Sequence, residues 1–176
     1  MANLFQKLEI EAFRAGITPR TKESMDWFRR KATSLGRVGK SIMNDEALKL
    51  QSSMKNPAGN MYMFFYDPKY KKTLPYYDKF PLIIMTGPAK GGFYGLNLHY
   101  LPPALRAKVL DALLGDGNVP SKFISPMIKH YLTDHVRSRF ALVDKPEWEI
   151  ATFLPTAQFE KLNASQVYTR SKRMIK

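Results

Sequence analysis

Two basic segments hold the side chains of this sequence that are best suited to binding a polyanion. The first runs from Arg29 to Lys40 and contains no acidic residue. Its cations are Arg29, Arg30, Lys31, Arg37 and Lys40. Guanidinium and ammonium groups bind phosphate oxygens in a salt-dependent way that ignores base sequence. These five residues are the primary candidates for DNA contacts, and the alternative is that they form a solvated helix face.

The second segment alternates tyrosines with lysines between Tyr66 and Lys79. An aromatic ring that stacks on a base, next to a cation that binds phosphate, is typical of sites that hold single strands and exposed terminal bases. The pairs Asp67-Pro68 and Leu74-Pro75 are typical of turns, however. They favour an interpretation in which the tyrosines anchor a long loop to a sheet while the lysines face solvent. The secondary candidates for DNA contacts are Lys69, Lys71 and Lys72.

The chain as a whole carries the charge that such contacts require. Its 28 basic and 15 acidic residues give a net charge of +13 over 176 residues. A field of this sign attracts nucleic acid, an anionic membrane or an acidic protein surface. No apolar run approaches the roughly 18 residues of a membrane span, so no membrane contact is expected. The absence of cysteine excludes disulfides and thiolate metal sites.

The residues that catalysis or metal binding requires are sparse. The three histidines, at positions 99, 130 and 135, include no pair with the i, i+4 spacing of a zinc-binding helix. Residues 34–41, SLGRVGKS, lack the first glycine of a phosphate-binding loop and follow a predicted helix rather than a strand. Asp67, Asp78 and Asp111 are the conceivable acids of a two-metal nuclease, but no catalytic motif accompanies them. The sequence therefore predicts a non-catalytic protein with no cofactor and no metal site.

A block of strands is predicted over residues 60–103, and it includes the second basic segment. MYMFFY and FPLIIM are short apolar runs bounded by turn residues, which is typical of buried strands. GGFYGLNLHYL is predicted to be a third strand, opened by a Gly-Gly pair that supplies a positive φ at a turn. Residues 137–143 and 148–154 are predicted to form a β-hairpin.

Helices are predicted on both sides of this block. Amphipathic spacing and the signals at Gly16 and Thr18-Pro19 indicate two helices in an N-terminal arm. A compact helix is expected from Pro103 to Leu114, ended by Gly115. Ser125-Pro126 is predicted to open a further helix that ends near Thr133.

The fold class that follows is α+β: an N-terminal helical arm, a small antiparallel sheet or SH3-like partial barrel, and flanking short helices. The predicted domains are an arm over residues 1–57, a β-rich core with two helices over 58–155, and a basic tail over 156–176. The predicted core consists of Phe64, Phe65, Leu82, Ile84, Phe93, Leu96, Leu98, Trp148, Ile150 and Phe153.

Three stretches carry a resemblance to known proteins: EAFRAGITPRTKESMDWFRRKA, then FFYDPKYKKTLPYYDKFPLIIM with GGFYGLNLHYLPPALRAKVLDAL, and EWEIATFLPTAQF. They resemble small virion-associated proteins of T4-like tailed bacteriophages, of the structural or DNA-end-protector type. An end protector would bind the terminus of the packaged genome and shield it from host exonuclease. A neck or baseplate subunit would direct the same positive charge at acidic neighbours.

The residues and the resemblance together predict a non-catalytic virion protein, made in the host cytoplasm, that contacts double-stranded DNA. Binding and protection of the genome end, during packaging or at the neck, is the candidate role. The protein's expected partners are other virion subunits in a multimeric assembly. The alternative is a purely structural tail, neck or baseplate subunit that binds acidic protein partners.

Overall fold

The computed structural model of the protein describes residues 13–17, 59–115, 119–153 and 156–175. The five primary candidate cations, from Arg29 to Lys40, and nearly all of the predicted helical arm lie outside these residues. Gly16, predicted to end the first helix, has a φ of +69°. Its N–H donates to the carbonyl of Phe13 over 3.0 Å.

Seven strands form two antiparallel sheets in the described part of the chain. They are β1 (Met61–Met63), β2 (Tyr77–Asp78), β3 (Leu82–Ala89), β4 (Gly92–Asn97), β5 (Ile128–Leu132), β6 (Ala141–Val143) and β7 (Phe159–Glu160). The larger sheet has the order β5-β4-β3-β1-β6, and β2 pairs with β7 in a small second sheet. The predicted α+β class and antiparallel sheet are confirmed, and the sheet is open rather than a closed barrel.

Both faces of the larger sheet are buried. Successive side chains of a strand point to opposite faces, and the register places Met61 beside Ile84 and Tyr62 beside Ile83. The face that carries Met61 and Ile84 packs against residues of the helices, such as Leu110 and Trp148. Because both faces are covered at the centre of the sheet, β1 and the first half of β3 are continuously apolar and buried.

Four α-helices and three short 3-10 helices complete the described residues. The α-helices are α1 (Pro103–Leu114), α2 (Ser121–Met127), α3 (Trp148–Phe153) and α4 (Ala164–Met174). The 3-10 helices are Leu98–Tyr100, Thr133–His135 and Lys145–Glu147. Helix α1 has the predicted bounds, with Gly115 as its C-cap. Helix α4 begins with a capping box, in which Asn163 and Gln166 each satisfy the other's backbone N–H.

The opposite face of the sheet is an aromatic cluster centred on Phe64. The ring centroid of Phe64 lies 5.3 Å from that of Tyr131 and 4.9 Å from that of Phe140. Phe93 stacks on Tyr131 with centroids 5.5 Å apart. Edge-to-face and offset arrangements of this kind stabilise a core beyond simple area burial. The cluster therefore holds the edge strand β5, through Tyr131, against the centre of the sheet.

The predicted core is largely confirmed. Nine of its ten residues are buried, whereas Phe65 is partly buried and packs against the helix-covered face. Phe65 still pairs with Phe80, with ring centroids 4.5 Å apart.

The predicted hairpin of residues 137–143 and 148–154 is wrong. Residues 148–153 form helix α3, and β6 pairs with β1 instead. Pro146 stands in the first turn of the 3-10 helix that leads into α3 and favours helical backbone there. The indole N–H of Trp148 then donates to the carbonyl of Val143 over 2.8 Å, which fixes the corner between β6 and the helix.

The predicted helix from Ser125 to about Thr133 is also wrong. Pro126 lies inside α2, one residue before its end. A proline disrupts helix continuation, and residues 128–132 then pair with β4 as the edge strand β5. Side-chain partners across the sheet decided the conformation of this segment.

The β3–β4 turn depends on a close backbone approach at Gly92. Gly91 has the expected positive φ of +74°, but at Gly92 the constraint is space, because a Cβ would overlap the backbone carbonyl of Tyr131 in β5. We expect Gly92→Ala to lower the free energy of unfolding by at least about 2 kcal/mol. Gly87→Ala in the same hairpin meets nothing within 4 Å and should change it by less than about 0.5 kcal/mol. Urea denaturation of both variants checks this, and equal stabilities would contradict it.

Candidate nucleic-acid interface

A groove of about 830 Å³ opens between the β1–β2 loop and the edge strand β5. One wall is the loop from Pro68 to Tyr77, and the other is β5 together with the β3–β4 turn at Lys90 and Gly91. Tyr66, Tyr100 and Tyr131 form its floor, because all three are buried. This is the loop that the sequence singled out for its tyrosines and lysines.

The groove has an aromatic lining. Tyr66, Tyr70, Tyr76, Tyr77, Tyr100 and Tyr131 all contribute to it. Tyr70 is 62% exposed, whereas Tyr76 packs on Tyr100 with ring centroids 5.9 Å apart. Burial raises the pKa of Tyr100 and Tyr131, so their hydroxyls stay protonated and add no negative charge to the floor. The interpretation of the tyrosines as loop anchors therefore describes Tyr76, while Tyr70 stays accessible.

Cations line the groove while the acid among the lining residues is buried. Lys69, Lys90 and Lys129 are lining residues, and Asp78 is the acid among them, only 3% exposed. The ammonium of Lys129 lies 4.2 Å from the centre of the Tyr100 ring. It forms no ion pair with a described residue, and burial lowers its pKa to about 8. A half-buried ammonium of this kind is a place where an anion is stabilised.

The C-terminal helix brings further positive charge to the same loop. The guanidinium carbon of Arg170 lies 5.5 Å from the centre of the Tyr76 ring. Lys161 donates to the backbone carbonyls of Lys72 and Leu74 over 3.1 and 2.6 Å. The loop is thereby held by α4 and the segment before it, and basic side chains surround its outer side.

A buried network under the groove starts at Asp78. One carboxylate oxygen accepts from the backbone N–H groups of Phe80 and Gln158, each over 3.0 Å. The other contacts Nδ1 of His99 at 2.7 Å and accepts from Nδ2 of Asn97 over 3.2 Å. The same Asn97 amide donates to the hydroxyl of Tyr131 over 3.1 Å. The network thus links the loop, the end of β4, the floor and the C-terminal segment.

The two ionisable groups of this network have shifted pKa values. Burial would raise the pKa of the Asp78 carboxyl. Contact with His99 and the hydrogen bonds that the carboxylate accepts nevertheless hold this pKa below its ordinary value. Burial lowers the pKa of His99 more than Asp78 raises it. A neutral His99 then donates from Nδ1 to Asp78 and accepts at Nε2 from the hydroxyl of Thr156, 3.0 Å away. All the polar side-chain atoms of Asp78 and His99 are therefore engaged within the protein.

A second buried charge, Arg106 in α1, positions α4. Its guanidinium donates to the backbone carbonyls of Leu101, Thr152 and His99 at 2.6, 3.0 and 3.2 Å. It also donates to the hydroxyl of Tyr168 over 2.7 Å. Four acceptors around one guanidinium join α1, α3 and α4, and this sets where Arg170 lies relative to Tyr76.

The structure places the three secondary candidates on this loop, all of them exposed. Lys69 lines the groove with its ammonium 5.4 Å from the centre of the Tyr70 ring. Lys71 pairs with Asp67 at 2.9 Å, which partly neutralises it. Whether Lys69, Lys71 and Lys72 contact DNA stays a prediction, as it does for the five primary candidates outside the described residues.

Sequence reasoning missed Lys90, Lys129 and Arg170. Lys90 directly precedes the Gly-Gly pair of the β3–β4 turn, and this position could have been used to predict that its side chain is exposed. Lys129 falls within the wrongly predicted helix, and that error in secondary structure concealed it. Arg170 belongs to the basic C-terminal segment, but its position beside the groove depends on Arg106.

Other classes of site find no support in the described ranges. No group of three or more histidine, aspartate or glutamate side chains there could hold a metal ion. None of the helices in these ranges is long and apolar enough to cross a membrane.

The buried His99 should make the protein sensitive to mild acid. The unfolded chain protonates this ring near its ordinary pKa of 6.5, while the folded protein resists protonation. The unfolded state then binds more protons, so stability falls as the pH drops below that value, by at most about 1.4 kcal/mol per pH unit. We expect His99→Asn to flatten the stability profile between about pH 7 and pH 5. His130→Asn, at an exposed position, is the control; equal slopes in both variants would contradict the assignment.

The half-buried ammonium of Lys129 should lower the stability of the protein at neutral pH. Its pKa is about 8 in the folded protein against 10.5 in the unfolded chain. The unfolded state binds more protons between those values, so the contribution of Lys129 to stability rises with pH across that range. Lys129→Met should therefore be more stable than the wild type at pH 7 by roughly 1–2 kcal/mol, with a smaller difference at about pH 9.5. The other ionisable side chains that line the groove with Lys129 are those of Lys69, Lys90, His130, Asp78 and the tyrosines.

Urea denaturation at the two pH values measures this difference. Lys122→Met removes an exposed ammonium from α2, outside the groove, and should show no such change with pH. A pH-independent difference for Lys129→Met would contradict the assignment.

Comparison with known proteins identifies a family that covers most of the chain. A sequence model of the family described as "Phage T4 terminal DNA protecting protein" matches residues 5–174. No curated protein and no solved structure matches the chain.

Proposed function

We propose that this chain, which belongs to the phage T4 terminal DNA protecting protein family, binds the ends of linear double-stranded DNA and shields them from exonucleases. The family match over residues 5–174 is the observation that carries this proposal. The description of the family is one of protection rather than catalysis, in keeping with a non-catalytic role. We place the protein in the virion, at the genome terminus, where packaging delivers a DNA end.

The electrostatics of the chain support binding to DNA. Its net charge of +13 favours association with a polyanion. Among the described cations, Lys69, Lys90 and Lys129 line the groove, and Arg170 lies over Tyr76 of the same loop. We assign the main contacts with the phosphate backbone to the segment from Arg29 to Lys40 and secondary contacts to Lys69, Lys71 and Lys72. Contacts of this type give affinity without sequence specificity, which suits a protein that must bind any terminus.

A purely structural role in the tail, neck or baseplate is the second candidate. The observation that favours it is Phe13, at the end of the first predicted helix, whose side chain is 85% exposed. An exposed aromatic residue on an amphipathic helix is suited to docking on another protein. Contacts with other virion subunits, in a multimeric assembly, are compatible with either role.

End binding is tested by competition between linear and circular DNA. We expect a blunt linear duplex to bind more tightly than a closed circular duplex of equal length, and the preference to survive at moderate salt. Pre-bound protein should also slow digestion of the linear duplex by a double-strand exonuclease. Equal binding that disappears with salt would indicate generic electrostatics, and no binding at all would favour the structural role.

Charge reversal locates the residues that bind DNA. Changing Arg29, Arg30, Lys31, Arg37 and Lys40 to Glu should lower DNA affinity and reduce the slope of log K against log salt, by roughly one for each phosphate that the protein no longer neutralises. Changing Lys69, Lys71 and Lys72 to Glu should have a smaller effect of the same kind. The control for this triple variant reverses three exposed lysines away from the groove, with the same change in net charge: Lys108, Lys122 and Lys145. A triple variant that matched its control would remove the loop lysines from the site.

A further inference from the structure

We propose that the groove between the β1–β2 loop and β5 encloses one or two unpaired nucleotides at the end of a DNA strand. Their bases stack on tyrosine rings, and their phosphates contact Lys129, Lys69 and Lys90. This inference rests on the proposed function, because it requires that the protein meets DNA ends. It adds a chemical class of ligand, the single-stranded terminal nucleotide, and a site for it.

The size of the groove fits such a ligand. Its volume of about 830 Å³ falls within the range of roughly 300–1,000 Å³ that is typical of sites that bury small ligands. A site of this size encloses a nucleotide or a dinucleotide but does not admit a duplex. The groove is also open to solvent along the exposed loop from Lys69 to Thr73, so a strand can enter from one side.

The aromatic lining favours an unpaired base over a paired one. Inside a duplex each base face is covered by its neighbours, whereas an unpaired terminal base has free faces. Tyr70 is 62% exposed and Tyr77 is half-buried at the edge of β2, so both are placed to receive a base. Stacking on an aromatic ring tolerates any base, in keeping with protection of a terminus irrespective of sequence.

The charges of the groove fit the phosphates that connect such nucleotides. Lys129 is half-buried with its ammonium over the Tyr100 ring, and a phosphate would supply the counter-charge that no described carboxylate provides. Lys69 and Lys90 lie on opposite walls, on the loop and on the β3–β4 turn. Asp78 forms no ion pair with these lysines, because its carboxylate is buried and already accepts from Phe80, Gln158 and Asn97 and contacts His99.

Enclosure of the terminal nucleotides would explain protection in physical terms. An exonuclease must hold the last nucleotides of a strand in its own active site. A terminus that lies in the groove is withheld from that site, whereas coating the duplex along its length would not single out ends. The basic surfaces outside the groove would then hold the adjoining duplex.

The test is a binding series with short hairpin duplexes that have a single open end. Fluorescence anisotropy compares a blunt end, an unpaired two-nucleotide extension on the 3′ or the 5′ strand, and the same extension built of abasic sites. The abasic extension keeps the phosphates and removes the bases. We expect at least one base-containing extension to bind about tenfold more tightly than its abasic counterpart, the size of a stacking contribution.

Two variants and their controls assign this preference to the groove. Tyr70→Ala should abolish most of the difference between base-containing and abasic extensions, and Lys129→Met should weaken binding of both extensions severalfold. Tyr94→Ala and Lys122→Met are the controls; Tyr94 is 42% exposed, and neither residue lines the groove. Circular dichroism and thermal unfolding confirm that each variant is folded.

The outcomes separate the two proposals. If the wild type protects linear DNA from exonuclease but binds all ends equally, or if the groove variants behave like their controls, the groove proposal is wrong and end protection stands. If the wild type neither prefers linear DNA nor protects it, the proposed function itself fails. If free deoxynucleoside monophosphates compete as well as a DNA extension does, the groove is a mononucleotide site and the inference about strand ends is overturned.

Discussion

The buried carboxylate of Asp78 joins chain segments that are far apart in the sequence. A charge removed from water costs several kcal/mol unless hydrogen bonds and an opposing dipole or charge compensate it. Compensation here requires Phe80 from the loop, Asn97 and His99 from the end of β4, and Gln158 from the C-terminal segment. All of these must be in place together, so the carboxylate selects one arrangement of the loop and the sheet. The groove exists because that arrangement leaves the outer part of the loop standing away from β5.

Arg106 applies the same kind of constraint to the helices. Its guanidinium is surrounded by backbone carbonyls and the hydroxyl of Tyr168 and has no carboxylate partner among the described residues. These acceptors come from α3, α4 and the segment between β4 and α1, so they surround the guanidinium only when these elements are packed together. His99 belongs to both constraints, since its ring contacts Asp78 and its carbonyl accepts from Arg106. The two buried charges therefore couple the position of the basic C-terminal helix to the floor of the groove.

In this arrangement the buried residues form a rigid support, and different residues are exposed for binding. The aromatic cluster around Phe64 and the helix-covered face make the sheet a fixed support, while Tyr70 and the loop lysines project from it. A site that accepts any terminal base needs accessible rings and cations rather than a fitted hydrogen-bond pattern. A buried scaffold under an exposed aromatic and basic rim meets that need. The family description, a terminal DNA protecting protein, is in keeping with such a surface.

Local signals in the sequence were enough to predict several helices, strands and turns. The helix from Pro103 to Leu114 follows from a proline at its start and Gly115 at its end, and the turn at Gly91 follows from the backbone freedom of glycine. The strands β3 and β4 follow from apolar runs between turn residues. By contrast, the predictions for residues 128–132 and 148–153 are wrong, because short apolar segments with both kinds of periodicity are decided by the partner they meet.

The sequence by itself determined the α+β composition, the strong positive charge and the aromatic, lysine-rich character of one loop, because these depend on residue type and on near neighbours. Only the tertiary structure decided that Lys129, Lys90 and Arg170 lie beside that loop, that Asp78 and His99 form a buried hydrogen-bonded network, and that a groove lies between the loop and β5. Those features depend on burial and on contacts between residues that are dozens of positions apart, and neither leaves a local pattern in the sequence.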